Sequence, residues 1–247
     1  MNILHVFRYR LIAIYQYVME LLFSKNVEEI KNIPIIINNF NRKETLLKLI
    51  ESLEKRGYRN IHILDNCSTY PPLLEYYKQC PYTIHRLERN FGFKAIWESK
   101  IIEQFRTGYY VYTDSDVVLV DECPDNVLED MLLYLKKYKL SQKIGLSIRI
   151  DNLPDHYKYK QDVIAWESRF WKKQNADGLY RAPVDTTFAL YRPRTKLSRH
   201  PSAKVFRTPY PYQLEHLPWY NNSSCLSEEE AYYKKHCSMV TAWSNKN

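Results

Sequence analysis

The sequence predicts an α/β fold: a mixed, mostly parallel central sheet flanked by helices, with an extra amphipathic helix at the N-terminal end. Short apolar runs rich in β-branched residues alternate with stretches in which apolar residues recur every three or four positions. This pattern is typical of parallel strands joined by crossover helices. The chain has 247 residues, 45% of them hydrophobic and 26% charged, which suits a globular core and argues against wholesale disorder.

Residues 3–23 are predicted to form the N-terminal amphipathic helix, because their apolar side chains recur at a spacing of three to four. No small-residue cleavage site follows, and Gln16 and Glu20 interrupt the apolar run, so a signal peptide is not indicated. The apolar runs of the chain also stay below the roughly 18 residues of a membrane span. Two interpretations stay open: a helix packed on the domain or on a second subunit, and a helix lying on a membrane surface, with Arg8 and Arg10 near its start.

Strands and helices then alternate through the first half of the chain. The apolar run Ile33–Ile37 predicts a buried strand, and the turn-forming residues after it end that strand. Residues 43–56 predict a helix with one apolar face, which Gly57 ends. The remaining elements follow from the same patterns: strands at 61–64, 82–87 and 109–113, and helices at 71–79 and 93–105.

Three polar clusters follow strands of this predicted sheet: Asn38–Arg42, Asp65–Ser68 and Asp114–Asp116. A polar turn after one strand is commonplace. In parallel sheets, however, ligands bind beyond the carboxyl ends of the strands, so three such turns at one edge predict a pocket there.

Asp114 and Asp116 are two residues apart, so extended backbone would place both carboxylates on one face. Two neighbouring acids raise each other's pKa unless a cation neutralises them. A divalent metal, Mg²⁺ or Mn²⁺, is the economical partner, and it can clamp a diphosphate. The alternative interpretation is a turn in which the two aspartates cap backbone groups.

The formal net charge is +8, which is compatible with nucleic acid, with anionic lipid or with a phosphorylated substrate. The basic residues are scattered except for a run at 192–207, and no recognised nucleic-acid-binding pattern is present, so we expect no nucleic-acid partner. The five cysteines are an odd number and form no C-x-x-C pair. A reducing, cytoplasmic location fits this usage.

Four segments occur in a fixed order along the chain. They are PIIINNFNR at 34–42, ILDNCST at 63–69, NFG at 90–92 and YTDSD at 112–116. Together they resemble the nucleotide-sugar-dependent glycosyltransferases of the GT-A fold, close to the large family two. The similarity covers residues 31–120 well and the remainder loosely. It implies a Rossmann-like GT-A domain, a nucleotide-diphosphate sugar donor of the UDP or GDP type, and a divalent metal, Mn²⁺ or Mg²⁺.

The resemblance also implies a role for each matching residue. The implied nucleotide contacts are Asn39, Asn41 and Arg42 along the base and ribose, Asp65 and Ser68 at the base, Asn90, Gly92 and Lys94 beneath the nucleotide, and Asp114 at the donor. Asp116 would join Asp114 as a metal ligand. A cation at Lys94 is favourable near a diphosphate, and the alternative there is a solvent-facing helix lysine.

The second half departs from the family pattern, in which a Glu-Asp pair at a helix start often supplies the catalytic base. This chain has only Glu129-Asp130, which follows the metal motif too soon. Asp185, at the entrance of a strand-like segment that extends to residue 192, is the best candidate for the base. The alternative is a structural aspartate that caps the backbone of Thr187. The competing acids are Glu167, Asp177 and the run Glu228–Glu230, which is more typical of a helix start.

His216 lies in the unusual segment HLPWY at 216–220. A histidine well downstream of the D-x-D motif is the third metal ligand in several GT-A enzymes, and an imidazole ligand would favour Mn²⁺ over Mg²⁺. Trp219 and Tyr220 could stack on a sugar. The alternative interpretation is a loop in which His216 and Trp219 pack against the sheet.

We therefore expect residues 1–30 to hold the N-terminal helix and residues 31–247 to form a transferase domain, with a donor half (31–120) and an acceptor half (121–247). The expected reaction is direct displacement onto an acceptor hydroxyl with Asp185 as base, inverting by resemblance, although a retaining course stays open. A glycan or lipid-linked acceptor would fit surface polysaccharide assembly, with the protein peripheral on the inner face of the plasma membrane.

Three alternatives stay open. A sugar-nucleotide nucleotidyltransferase would be expected to carry a glycine-rich basic loop after the first strand, but the chain has 5 glycines and none at 38–42. A basic module that binds RNA or membrane would need clustered Lys and Arg residues with aromatics. An inactive transferase-like scaffold is the third.

Overall fold

The computed structural model describes residues 3–23, 29–195 and 204–237. The helices in these ranges are α1 (Ile3–Phe23), α2 (Glu44–Lys55), α3 (Pro71–Tyr77), α4 (Ala95–Glu98), α5 (Val127–Lys137), α6 (Lys160–Glu167) and α7 (Glu228–His236). The strands are β1 (Ile35–Asn39), β2 (Ile61–Asp65), β3 (Thr83–Arg86), β4 (Tyr110–Asp114), β5 (Val117–Leu119), β6 (Ser141–Gly145), β7 (Ser147–Ile148), β8 (Ala189–Tyr191), β9 (Lys204–Arg207) and β10 (Gln213–His216).

The larger sheet has seven strands in the order β3-β2-β1-β4-β8-β6-β9. The neighbours among β3, β2, β1 and β4 are all parallel, and so are β6 and β9. Only β8 runs antiparallel to its two neighbours, β4 and β6. The prediction of a mixed, mostly parallel sheet flanked by helices is confirmed.

The first strand begins two residues later than the sequence pattern indicates. Pro34 has no N–H to give to a neighbouring strand, and the ladder with β2 begins where the Ile35 amide donates to the Asn60 carbonyl at 2.9 Å. The strand consequently continues through Asn38 and Asn39. This shift places two amide side chains at the carboxyl end of a buried strand.

The prediction of a single helix at 93–105 is wrong. Only Ala95–Glu98 is α-helical, and a separate 3₁₀ turn covers Ile101–Gln104. Lys100 between them has a left-handed backbone with φ 65°, which ends a helix because the following residues can no longer continue the spiral. The apolar residues that predicted one helix therefore belong to two short helical segments.

A smaller sheet of three strands, in the order β5-β10-β7, lies beside the larger one. Its register pairs His216 of β10 with Val117 of β5, and the Leu217 amide donates to the Asp116 carbonyl at 2.8 Å. A histidine from late in the chain is thereby fixed next to the acidic turn between β4 and β5.

The Glu228–Glu230 run begins helix α7, as its sequence indicates. The Ser227 hydroxyl accepts a hydrogen bond from the Glu230 amide at 3.2 Å, so the helix is capped. The Glu229 carboxylate accepts from the backbone amides of Lys43 and Glu44. Helix α7 thus caps the N-terminus of α2. The N-cap residue of α2, Lys43, makes no side-chain hydrogen bond to the free backbone amides there.

Helix α1 packs on the domain through polar side chains. Gln16 and Glu20 are buried, and the Glu20 carboxylate accepts from the guanidinium of Arg192 and the hydroxyl of Tyr109. In the portion of the chain that the structure describes, no helix combines the length and the hydrophobicity that crossing a bilayer would require.

The structure describes only part of the basic run at 192–207. Lys196 and Arg199 lie outside the described residues. Its two ends are not solvated: Arg192 and Arg207 are both buried. Arg207 pairs with Glu167 at 2.6 Å, and Arg192 pairs with Glu20. These two arginines therefore hold the fold together.

Candidate functional site

The acidic turn lies at the carboxyl end of β4. Asp114 is the last residue of that strand, and Asp116 lies in the tight turn before β5. The Asp114 carboxylate accepts from the Thr186 hydroxyl and, at 3.3 Å, from the Asn38 amide. Burial, followed by the charge of Asp116, raises the pKa of Asp114 to about 8. The protein itself therefore compensates the negative charge of Asp114 poorly, which is what the sequence predicts for an acid beside a second acid in the absence of a bound cation.

Asp116 lies between two nitrogen groups. Its Oδ1 is 3.7 Å from His216 Nε2, and its Oδ2 is 3.7 Å from Arg42 Nε. Burial lowers the pKa of His216, against the opposing effect of Asp116, which favours the neutral imidazole that binds metals. Burial also opposes the charge on Arg42, but the carboxylates of Asp116 and Glu230 raise the pKa of Arg42 above its ordinary value.

Arg42 is held from the side of α7. Its Nη1 donates to Glu230 at 2.7 Å, and its guanidinium carbon lies 3.8 Å from the centre of the Tyr233 ring. The side chain is almost fully buried. Helix α7 therefore fixes the guanidinium near Asp116, and it does so at the place where the resemblance implies nucleotide contact for Arg42.

Several buried polar atoms around the acid pair have no hydrogen-bond partner among the described residues. They include Asn38 Oδ1, Arg42 Nε and His216 Nδ1. Buried polar atoms are paired in nearly all proteins, so a cluster of unpaired ones indicates the position of a polar ligand.

Asp114, Asp116 and His216 are brought together, but they do not form a closed metal cage. Across the described ranges, no three or more His, Cys, Asp or Glu side chains are grouped closely enough to hold a metal ion. The charges and donor types fit a hard divalent cation, and such an ion would need further ligands from a second molecule.

Trp219 does not present a ring to a sugar. It is buried, with its ring centre 4.7 Å from that of His216, so the stacking role considered for it is corrected. The hydroxyl of Tyr220 donates to Asn152. The packing of Trp219 instead holds the imidazole in place.

Asn39 and Asn41 are fully buried. Asn41 Oδ1 accepts from the amides of Thr69 and Tyr70 at 2.7 and 2.9 Å, and the Asn39 amide donates to the Tyr77 hydroxyl. Asn41 thus joins the loops that follow β1 and β2, and Asn39 joins the end of β1 to helix α3. Their predicted contact with a base or ribose stays a prediction.

Asp65 is also fully buried, at the carboxyl end of β2. Its Oδ2 lies 3.2 Å from Arg86 Nε, and its Oδ1 accepts from the Tyr77 hydroxyl at 3.2 Å. Ser68 lies beside it, and the Ser68 hydroxyl accepts from the backbone N–H of Asn41 at 2.8 Å. The loop is thus preformed, and the role of Asp65 toward a base stays a prediction.

The Asn90–Gly92 segment is tied to the ends of β1 and β2. The Gly92 carbonyl accepts from the amides of Asn38 and Asn66 at 3.4 and 3.0 Å. Asn90 Oδ1 accepts from the Gly92 amide at 2.7 Å, and Gly92 has φ 62°, which favours glycine. All three sequence clusters therefore meet at one edge of the sheet.

Lys94 follows this turn and lies 3.4 Å from Glu98, one helical turn away. The two side chains are 38% and 48% exposed, so the pair contributes little to stability. The ammonium group of Lys94 can therefore rotate toward an anionic ligand at a small cost in free energy.

Asp185 lies beside the acid pair. The next residue, Thr186, bonds to Asp114 through its hydroxyl, and its carbonyl accepts from the Asp114 amide at 2.9 Å. Asp185 is exposed, and its carboxylate accepts no hydrogen bond from a described residue, so no cap on Thr187 is formed. Its backbone carbonyl accepts from Lys143 Nζ at 3.1 Å.

The competing acids are engaged elsewhere. Glu167 pairs with Arg207 at 2.6 Å, and Asp177 pairs with Lys137 at 2.5 Å. In α7, Glu230 binds Arg42 and Glu229 binds the start of α2, whereas Glu228 is exposed. Unlike Glu167, Asp177, Glu229 and Glu230, Asp185 has a carboxylate without a hydrogen bond to a described residue, and it lies next to Thr186, which binds Asp114.

Lys143 is a feature that the sequence did not reveal. It is buried in β6, and its Nζ donates to the Tyr191 hydroxyl at 3.0 Å as well as to the Asp185 carbonyl. Burial lowers the pKa of Lys143 to about 8. The only signal was a lysine inside a short strand, which is too common to single it out.

Lys143→Met is expected to change the pH dependence of stability. The unfolded chain keeps the Lys143 proton up to the ordinary pKa of 10.5, whereas the folded chain releases it near pH 8. The unfolded state therefore binds more protons between these values, and the free energy of unfolding of the wild type rises with pH there, by about 2 kcal/mol between about pH 7 and 9.5.

Urea unfolding at several pH values measures this rise, which the Lys143→Met protein should lack. Lys172→Met, at an exposed position, is the matched control and should follow the wild type. Parallel pH profiles for wild type and Lys143→Met would show that Lys143 does not titrate in this range.

Comparison with known sequences gives one family match. The sequence profile described as glycosyl transferase family 2 matches residues 35–199, which is about two thirds of the chain. No protein in the curated set matches.

Solved structures that are similar to this chain include the following three. The chain is 14% identical to GalNAc-T7 with UDP, GalNAc and Mn²⁺, with a TM-score of 0.44, covering 74% of this chain and 43% of that one. It is 13% identical to glucosyl-3-phosphoglycerate synthase from Mycobacterium tuberculosis in complex with phosphoglyceric acid, with a TM-score of 0.42 and coverage of 68% and 61%. For the same synthase with Mn²⁺ and UDP-glucose, identity is 14%, the TM-score 0.40 and coverage again 68% and 61%. This chain thus spans less than two thirds of each solved chain.

Proposed function

The chain belongs to glycosyl transferase family 2, and on that premise we propose that it transfers a sugar from a nucleotide-diphosphate donor to a hydroxyl of a glycan or lipid-linked acceptor. The observation that carries the proposal is the acid pair Asp114 and Asp116, at the carboxyl end of β4 and beside His216. Ligands of such sheets bind at this edge. Residues 31–120 would bind the donor and residues 121–247 the acceptor.

Asp114, Asp116 and His216 are the side chains that would hold a divalent cation, Mn²⁺ or Mg²⁺. Such an ion, when bound, neutralises the diphosphate and stabilises it as a leaving group. The imidazole favours Mn²⁺. Because the described residues do not complete a metal site by themselves, we expect diphosphate oxygens to complete it, so that metal and nucleotide bind cooperatively.

The donor nucleotide would lie on the loops that follow β1 and β2. The buried amides of Asn39 and Asn41 keep these loops in shape, and Asp65 and Ser68 lie at their base. The three unpaired buried atoms near Asp116 would find partners in the donor. Lys94, whose ammonium is only loosely held, would approach the diphosphate.

Asp185 would act as the base. Its exposed carboxylate would accept the proton of the acceptor hydroxyl while that oxygen attacks the anomeric carbon, and the bond to the nucleotide diphosphate breaks. Attack opposite the leaving group inverts the anomeric centre. Nuclear magnetic resonance of the product distinguishes inversion from retention, and a retained configuration would reject the single displacement.

The proposal includes a role in surface polysaccharide assembly, with the protein in the cytoplasm and peripheral on the inner face of the plasma membrane. A lipid-linked acceptor would be reached at that surface. This position is part of the proposal.

Titration calorimetry with UDP and GDP, each with and without Mn²⁺, tests the proposed function. We expect one nucleotide to bind clearly more tightly with Mn²⁺ present, and to raise the free energy of unfolding by about 2.7 kcal/mol at a hundredfold excess over Kd. If neither nucleotide binds under any of these conditions, the chain is no donor-dependent transferase.

Asp116→Asn is expected to remove the effect of the metal on nucleotide binding. Asp116 contributes a charge that faces both His216 and Arg42. Its loss should weaken Mn²⁺ binding by at least about 10- to 100-fold, because the loss of a group that only supports a metal ligand already costs that much. Asp121→Asn, where the side chain is 91% exposed, is the matched control. Unchanged Mn²⁺ enhancement in Asp116→Asn would place the cation elsewhere.

A further inference from the structure

Helix α1 is oriented with its polar residues toward the domain. Gln16 and Glu20, one helical turn apart, are 3% and 6% exposed. The Glu20 carboxylate bonds to Arg192 and Tyr109, and Gln16 contacts the Arg194 carbonyl and the Gln142 side chain at 3.5 Å. The apolar side of the helix is therefore left facing outward.

The outward side is a continuous apolar stripe. Seven of the eleven exposed large hydrophobic side chains in the described part of the chain belong to it, each between 43% and 66% exposed. They are Phe7, Leu11, Ile14, Tyr15, Val18, Leu21 and Leu22. Their spacing of three and four keeps them on one face over about four turns. A concentration of this kind marks an interaction surface rather than scattered exposed residues.

The charges on α1 are arranged around this stripe. At 3.6 residues per turn, Arg8 falls at one edge of the stripe and Arg10 at the other, and both are exposed. Glu20 is the one acidic residue of the helix, and it is buried on the opposite face. Lys139, on the adjoining edge of the domain, lies 5.5 Å from the centre of the Tyr17 ring.

Charge complementarity favours an anionic lipid surface over a second copy of the chain. A copy paired through this stripe would present only apolar residues and arginines on the facing side of its own α1, with no exposed acid to meet Arg8 or Arg10. Lipid phosphates would meet both arginines while the stripe enters the acyl boundary. The helix falls short of what a membrane span requires, so it would lie in the plane of the interface.

We propose that the outer face of α1 docks in the headgroup region of an anionic bilayer and holds the domain at the membrane surface. This inference rests on the proposed function for the acceptor at that surface, and it names the surface that makes the contact. The binding itself needs neither the donor nor the metal.

Sedimentation with vesicles tests the proposal on the full chain. One set is phosphatidylcholine alone, and in the other phosphatidylglycerol replaces about a third of it. We expect the wild type to bind the anionic vesicles and to bind the neutral ones much more weakly. A variant with Leu11→Gln, Val18→Gln and Leu22→Gln should bind more than tenfold more weakly, because each removes an inserted apolar side chain.

Two further variants make the test specific. Leu133→Gln changes an equally exposed leucine on α5 and should bind like the wild type. Arg8→Gln with Arg10→Gln should weaken binding to anionic vesicles by about 30-fold, the effect of two basic residues at a charged surface. Binding to the neutral vesicles should not change. Melting temperatures equal to that of the wild type show that these exposed substitutions leave the fold intact.

Two results would overturn the proposal. One is a wild type that does not bind anionic vesicles. The other is a wild type that light scattering shows to be a dimer and that the triple variant turns into a monomer, which would make the stripe a subunit interface. Nucleotide titration of the triple variant separates this inference from the proposed function, since docking is lost there while UDP or GDP binding should stay unchanged.

Discussion

Asp185→Asn is expected to lower kcat for sugar transfer by about 10² to 10⁴-fold, the usual contribution of a general base. Asparagine keeps the size of the side chain but cannot accept the acceptor proton. Because the Asp185 carboxylate makes no hydrogen bond to a described residue, the substitution should leave stability and nucleotide binding unchanged. Transfer assays with a fixed donor and acceptor measure kcat and KM separately.

The control for this substitution is Asp177→Asn. Asp177 forms an ion pair with Lys137 and makes no contact with Asp114 or Asp116. It should retain near-wild-type kcat. Near-full kcat in Asp185→Asn would instead show that another group removes the proton, even though the family assignment would be unaffected.

Arg192→Ala is expected to lower the free energy of unfolding by about 3–5 kcal/mol, the cost of leaving a buried charge without its partner. Arg192 is 2% exposed. Its guanidinium donates to Glu20 and to the carbonyls of Ser141, Leu135 and Tyr138. This amounts to a large fraction of the stability of an ordinary domain.

Urea denaturation measures this effect, with Arg181→Ala at an exposed position as the control. Replacing both Glu20 and Arg192 by apolar residues of similar volume should restore much of the loss, because no unpaired charge is left. A loss below about 1 kcal/mol for Arg192→Ala, the level of a surface pair, would show that the pair is not what fixes α1 to the domain.

Local patterns predicted the first half of the fold because its strands are buried runs and its helices have one apolar face. The strands β1 to β4 fall within two residues of their predicted positions. The broken helix at 93–105 was missed because the left-handed backbone at Lys100 occurs without a glycine, so no turn signal marked it.

The sequence also placed Asp114 and Asp116 correctly at a strand end, since that signal is local. The contact of His216 with Asp116 depends on the register of β10 against β5, which no local pattern reveals. For the same reason the burial of Glu20 against Arg192 could not be foreseen. A periodicity argument assigns the apolar side of α1 to the core, whereas the partner of Glu20 lies 172 positions away.

The contacts of α7 set an order in which the edge of the sheet around Arg42 can form during translation. The ribosome releases β1 to β4 long before Glu229 and Glu230, because chains emerge from the N-terminus. Until those glutamates arrive, Arg42 has Asp116 as its acidic neighbour but lacks Glu230, and the first amides of α2 lack Glu229. In a nascent chain, this edge would therefore lack the contacts of α7 until Glu229 and Glu230 have been added.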